Sequence, residues 1–252
     1  MCCCNTVKTK NAYPIPILTY HQIAEAPPKG FPYRSLSVAP ADFLMHMQFL
    51  SLLGYQGLSM TALQPYLRGV RTGKVVGITF DDGYLNNLVH AAPVLQRYGF
   101  SATCYVVSQL LGKNNIWDME TGVAQTPLMD LSQLKLWQAS GQEVGAHTKS
   151  HARLSQLDSV HAREEIAGCK RELESLLGVA VDHFCYPYGE FTQEHAAMAR
   201  EAGYRSATTT QRSRCLAGEA FLQLPQVPVA RRTTRLALLL KLATRYEDRR
   251  RA

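Results

Sequence analysis

Short apolar, β-branched runs alternate with segments of helical period through most of the chain, and this alternation restricts the fold more than any other feature. Residues 15–20, 55–58, 75–80, 101–107, 143–146, 183–186 and 205–209 read as strands, with one or two more short ones within 221–230. Between them, helical spacing runs from Pro40 towards Gly54, from Thr61 to Leu67, from Asn87 to Tyr98 and from Leu131 to Ala139. Two more helices run from Asp158 or Ser159 to Leu177 and from Glu194 to Ala202. Glycines follow most of these helices, as helix ends favour. Residues 108–129 read as an irregular excursion. Such an order implies βαβ units and a mostly parallel sheet. With about seven strands and no Gly-rich phosphate loop after the first, an α/β barrel fits better than a dinucleotide fold.

The chain divides into a tail at 1–13, a barrel domain at 14–233 and a basic amphipathic helix at 234–252. The net charge of +7 sits mainly in that last part: residues 227–252 hold eight Lys/Arg and two Asp/Glu. The remainder is near neutral, so the charge describes a tail and not a nucleic-acid-binding surface. The final helix has Leu236, Leu239, Leu240 and Ala243 on one face. It reads as a packed helix with a solvated basic end, or as a peripheral contact with an anionic membrane. No apolar run approaches the roughly 18 residues that span a bilayer. Met1-Cys2-Cys3-Cys4-Asn5 lacks the pattern of a secretory leader, which gives the expectation of a cytoplasmic address, or of the inner face of the membrane. Seven cysteines at irregular spacing argue against a disulfide framework. Cys104 and Cys185 read as small buried hydrophobes, and Cys2-Cys3-Cys4 as a reduced tail.

Polar residues gather at strand ends: His21, the pair Asp81-Asp82, His147 with His151, and Tyr186-Pro187-Tyr188-Gly189. In an α/β barrel such ends form one rim. His147-Thr148-Lys149-Ser150-His151 places two histidines four apart, which on a helical turn share a face and can chelate one metal. A carboxylate from the Asp pair completes a three-ligand site with open positions for water and substrate. Adjacent carboxylates repel unless a cation relieves them. One aspartate can therefore ligate while the other acts as general base.

Thr79-Phe80-Asp81-Asp82-Gly83 together with His147-Thr148-Lys149-Ser150-His151 resembles the polysaccharide deacetylases of the NodB-homology type (carbohydrate esterase family 4). Tyr186-Pro187-Tyr188-Gly189 resembles that family's third motif. The resemblance covers about Pro14 to Ala230 and implies a distorted (β/α) barrel that removes N- or O-acetyl groups from a glycan with one divalent metal ion, zinc or another transition metal. It assigns Asp82, His147 and His151 as metal ligands, Asp81 as base and the Tyr188 backbone N–H as an oxyanion donor. The general-acid histidine, absent near the carboxyl terminus, is matched by His21 in Leu18-Thr19-Tyr20-His21, as in the permuted poly-N-acetylglucosamine deacetylase branch. Tyr84, Pro187 and Trp117 are candidates for sugar contacts.

Two departures stand out. The arginine that opens the third motif in many members is missing from Phe184-Cys185-Tyr186, and Leu224-Pro225-Gln226 has Gln where the permuted branch has Arg. Arg231 and Arg232 are candidate substitutes. Two other functions remain open at this point: hydrolysis of another C–N bond on a small molecule, and a catalytically weak carbohydrate-binding module.

Overall fold

The computed structural model describes residues 14–251. The tail at 1–13, with its three adjacent cysteines, lies outside the described residues. In chain order the strands are β1 (Ile17–Tyr20), β2 (Gln22–Ile23), β3 (Ser37–Val38), β4 (Gln56–Leu58), β5 (Val75–Phe80), β6 (Thr103–Val106), β7 (Glu143–Ala146), β8 (His183–Cys185), β9 (Ser206–Arg212) and β10 (Leu224–Pro228). The α-helices are α1 (Pro40–Leu52), α2 (Met60–Leu67), α3 (Ala92–Arg97), α4 (Leu131–Ala139), α5 (Ser159–Arg163), α6 (Cys169–Leu177), α7 (Gln193–Glu201) and α8 (Arg235–Ala243).

Seven parallel strands close a ring in the order β1-β10-β9-β8-β7-β6-β5, and β5 returns to β1. The expected (β/α) barrel is therefore present, with the first strand inserted between the last and β5. The distortion has a visible cause. β4 pairs with the amino-terminal half of β5, from Gln56↔Val75 to Leu58↔Gly77, while β6 pairs only at Thr79 and Phe80. Ser101 N–H reaches the Gly57 carbonyl at 3.0 Å, so β4 is a wedge between β5 and β6 at one end of the ring.

Side chains alternate across each strand, and two apolar clusters result. Ile17, Val75, Tyr105, Cys185 and Leu224 meet inside the barrel. Leu18, Tyr20, Ile78, Phe80, Val144 and Phe184 face the helices. Gly145 is needed because a methyl there would overlap the Tyr105 ring. In the outer layer Tyr20 stacks on Phe80 at 5.6 Å, and Trp137 meets Phe80 edge to face at 5.7 Å. Trp137 is fully buried and donates from Nε1 to the Glu143 carbonyl at 2.8 Å.

The long helix expected from Asp158 to Leu177 is α5 and α6 joined by a π-helical turn at Glu164–Gly168. Asp158 caps it, accepting from the N–H groups of Val160 and His161. α8 corrects the choice of apolar face. Leu238 and Leu242 are buried, whereas Leu236, Leu239 and Leu240 are exposed. Nor is the basic end simply solvated. The Glu247 carboxylate, fully buried, takes Arg212 and Lys241; Arg214 pairs with Asp248 at 2.7 Å; Arg251 pairs with Glu219. Among the described residues no helix is long and apolar enough to cross a membrane.

His46 ties this closing segment to the barrel. Its Nε2 donates to the Thr233 carbonyl at 2.7 Å, and its Nδ1 lies 3.4 Å from the Tyr20 hydroxyl. Burial holds the His46 imidazole below its ordinary value, against the raising effect of the Thr233 carbonyl and Asp42. A lowered folded-state value means the unfolded chain binds the proton first as pH falls. The stability is present above the unfolded value of about 6.5 and is lost below it. Thermal unfolding is expected to show Tm falling from pH 7.5 to 5.5, with a shallower slope in His46→Gln; equal slopes contradict the assignment.

Candidate metal centre and active-site pocket

Four parallel strands deliver the site at their carboxyl ends. His21 follows β1, the Asp pair follows β5, His147 follows β7 and Tyr186 follows β8. Register makes neighbours of residues 60 apart. Tyr20 pairs with Phe80, so the next residues, His21 and Asp81, stand side by side. The Asp81 N–H donates to the Tyr20 carbonyl at 3.0 Å, and His21 Nε2 lies 4.0 Å from Asp81 Oδ2.

Asp82 adopts a left-handed backbone, φ 75°, and its carboxylate meets a different pair of rings. Asp82 Oδ1 is 3.4 Å from His147 Nε2 and 3.3 Å from His151 Nε2. The three buried side chains bring their ligand atoms within 4.8 Å of one another. The helical turn expected for residues 147–151 is absent. Thr148 and His151 both have φ 62°, and these two left-handed residues fold the loop so that the rings meet at 4.9 Å. Glu165 holds that loop, accepting from the backbone N–H groups of Lys149 and Ser150.

The donor set fits a divalent cation. His147 Nδ1 lies 2.8 Å from the Cys185 carbonyl, which can only accept, so Nδ1 carries the proton and Nε2 offers a lone pair. In the neutral ring that lone pair is directed at the Asp82 carboxylate, and in the protonated ring the same Nε2 donates to it. The Asp82 carboxyl is held well below the usual range: burial opposes ionisation, and the His147 and His151 imidazoles outweigh it. Electron pairs aimed at one buried point repel unless a cation lies between them. One carboxylate and two imidazoles suit a transition ion such as zinc and leave coordination positions free.

Asp81 is differently placed. Its Oδ2 accepts from Thr19 Oγ1 at 3.3 Å, and its buried Oδ1 has no hydrogen-bond partner. Burial pushes its carboxyl up, against the His21 and His147 imidazoles. Among the described residues no Lys or Arg lines the pocket, so neither Arg231 nor Arg232 supplies the cationic neighbour that the sequence leaves open. Gln226, buried at the same end of the barrel, donates to Thr79 Oγ1 at 3.1 Å.

The pocket over these groups has a volume of about 520 Å³. One wall comes from the loop before β3, with Pro27, Pro32 and Tyr33; the other comes from the excursion after β6, with Asn115, Trp117 and Asp118. Trp117 lines the pocket and stacks on the His151 ring at 4.3 Å, so one of its faces is already taken. Tyr84 lines the pocket but is only 4% exposed, its ring packed with Val107, Leu110 and Leu128. Pro187 is buried at the start of the Pro187–Gly189 turn and does not line the pocket. Tyr188 does, with φ 57° and its ring 4.8 Å from His151. The turn is closed by Gly189 N–H to the Tyr186 carbonyl and Glu190 N–H to the Pro187 carbonyl, and neither bond uses the Tyr188 N–H.

All five non-glycine residues with positive φ among the described residues belong to this site: Tyr33, Asp82, Thr148, His151 and Tyr188. Such strain persists only where surrounding structure enforces it, and it concentrates at functional sites. Thr19, Asp118 and Arg153 are site neighbours that sequence reasoning missed. Only Thr19 carries a signal, two residues before His21 on one strand.

Fold and site together define a parallel (β/α) barrel with a candidate metal centre at its carboxyl rim. A family model described as polysaccharide deacetylase matches residues 68–207, and the chain belongs to that family. The matched span holds the Asp pair, both histidines and Tyr188; β1 with His21 and β10 with Gln226 lie outside it and complete the ring. YxkH of Bacillus subtilis (strain 168), provisionally named a polysaccharide deacetylase, is 28% identical over 226 residues, 89% of this chain and 74% of YxkH. The Streptococcus pyogenes deacetylase PplD, solved with acetate, superposes with a TM-score of 0.80 at 26% identity, covering 91% of this chain and 98% of PplD. BC0361, a Bacillus cereus polysaccharide deacetylase, gives 0.77 at 25% identity, covering 91% of this chain and 69% of its own.

Titration of the dialysed protein with a divalent transition ion is expected to show about one bound equivalent, with binding lost in Asp82→Ala and in His151→Ala. Wild-type stoichiometry in either variant contradicts the assigned ligand set.

Proposed function

We propose that the protein is a metal-dependent deacetylase that removes N-acetyl groups from a polysaccharide or glycoconjugate, with zinc as the resident ion. The observation that carries this reading is the convergence of Asp81, Asp82, His147, His151, His21 and Tyr188 on one pocket. Membership of the family supports a deacetylase. A pocket of about 520 Å³ suits a sugar and part of its neighbour, within the usual range for small-ligand sites.

Asp82, His147 and His151 would hold the ion. When bound, it supplies Lewis-acid chemistry, making water more acidic and polarising the acetyl carbonyl. Asp81, buried and free at Oδ1, is placed to take the proton from the attacking water. The Tyr188 N–H, unspent in its own turn, donates to the oxyanion that develops at the carbonyl. His21 stands on the other side of Asp81 and is a quarter exposed, so it can exchange protons with solvent. Protonated, it donates to the leaving nitrogen. An amide needs this donation because an unprotonated amine anion is a very poor leaving group, whereas an ester oxygen needs it far less. No covalent link between substrate and protein is required.

Asp81→Asn is expected to keep the bound ion and to lose about 10²–10⁴-fold in acetate release from N-acetylglucosamine oligomers. His21→Ala is expected to slow N-acetyl substrates more than O-acetyl ones. A wild-type rate in Asp81→Asn removes the base from the scheme. Tight glycan binding with no acetate release by the wild type points instead to a binding module.

A further inference from the structure

Two charged side chains outside the proposed chemistry, Asp118 and Arg153, close on Tyr188. The Tyr188 hydroxyl donates to Asp118 Oδ1 at 3.1 Å. The Arg153 guanidinium lies 3.6 Å above the centre of the Tyr188 ring. His151 meets the same ring edge to face at 4.8 Å. The ring is therefore gripped at its hydroxyl, at a face and along an edge. Arg153 is itself anchored, because its Nη1 pairs with Glu190, whose other oxygen accepts from Ser155 Oγ at 2.6 Å. Glu190 directly follows the Pro187–Gly189 turn, so Arg153 holds both the turn's aromatic ring and its exit.

The grip matters because of the backbone beneath it. Tyr188 sits at φ 57° and ψ 0°, a left-handed conformation that a bulky residue keeps only when its surroundings impose it. That conformation leaves the N–H out of the turn's own hydrogen bonds. A released side chain would let the peptide plane rotate towards ordinary dihedrals and carry the N–H away from the pocket. An oxyanion donor is useful only when it is already aimed, since reorganisation during the reaction forfeits its advantage.

We propose that Asp118 and Arg153 are positioning residues that lock the Tyr188 backbone N–H in place as the oxyanion donor. The proposal rests on the deacetylase reading for what the N–H does, and on the geometry alone for how it is held. It also gives the excursion after β6 a task. Trp117 stacks on the ligand His151 while the adjacent Asp118 holds Tyr188, so two neighbouring residues brace a metal ligand and the oxyanion donor together.

The test compares Asp118→Ala, Asp118→Asn, Tyr188→Phe, Arg153→Ala and the double variant Asp118→Ala/Tyr188→Phe. Two readouts are taken: kcat and KM for acetate release, and amide hydrogen exchange at Gly189 and Glu190. Asp118→Ala and Tyr188→Phe are each expected to lower kcat about tenfold or more with KM little changed, and the double variant to be no worse than either single one. Asp118→Asn, whose amide oxygen still accepts from the hydroxyl, recovers most of the rate. Exchange at Gly189 and Glu190 quickens in Asp118→Ala, Tyr188→Phe and Arg153→Ala, while the barrel strands keep their protection. Multiplying losses in the double variant, or a rise in KM alone, overturns the proposal and makes Asp118 a direct substrate contact. If the wild type releases no acetate, the deacetylase reading fails. The exchange readout then still decides the clamp, and unchanged exchange in the variants overturns it.

Discussion

One buried carboxylate facing two imidazole nitrogens is the constraint from which the other features of the site follow. Asp82 Oδ1 lies within 3.4 Å of both His147 Nε2 and His151 Nε2, with little water to screen them. Without a bound ion the carboxylate is satisfied by N–H groups of the two imidazoles, which holds its pKa well below the usual range. It is held there by backbone that would relax elsewhere, at Asp82, Thr148 and His151, and each such residue costs of the order of 1–3 kcal/mol. The barrel offsets the strain. Tyr20, Phe80 and Trp137 pack the layer directly behind the β1 and β5 ends, and the Cys185 carbonyl fixes the His147 tautomer. Binding of an ion would turn an internally strained centre into a satisfied one.

The ring order explains how two distant segments come to serve one reaction. β1 fits between β10 and β5, so His21, on the first strand, stands beside Asp81 and opposite the two ligand histidines. His21 and Asp81 thus follow paired strands, and their spacing is set by sheet register and not by loop conformation. The same closure puts Gln226 beneath the pocket, where it binds Thr79. Asp81 is left with Thr19, His21 and a buried environment, which pushes its carboxyl up.

Parts of this were readable in the residues. The alternation of strand and helix points to the barrel because each strand, buried on both faces, reads as a short continuous apolar run and each helix as a period-3.6 stripe. The Asp pair and the two histidines were visible because each motif is contiguous. A helical turn is not what brings the two histidines together: left-handed residues at 148 and 151 do, which no spacing rule reports. Tyr84 lines the pocket beside the Asp pair, yet the excursion packs over most of its ring, and excursions without periodicity give no warning of what they cover. Asp118 and Arg153 were invisible for the same reason, since their partner Tyr188 is far away in sequence. The basic carboxyl-terminal segment gives no sign in sequence that Lys241 pairs with the buried Glu247 or Arg251 with the distant Glu219; only folding pairs them.

The central claim is that the centre cleaves an acetamide with a proton delivered to nitrogen. The most direct measurement counts free amine and acetate together after the ion-loaded protein has acted on N-acetylglucosamine oligomers. The account predicts that amine and acetate appear in equal amounts and that both cease when the ion is chelated. Acetate released only from O-acetylated sugars, with no amine formed from the N-acetylated ones, would contradict it.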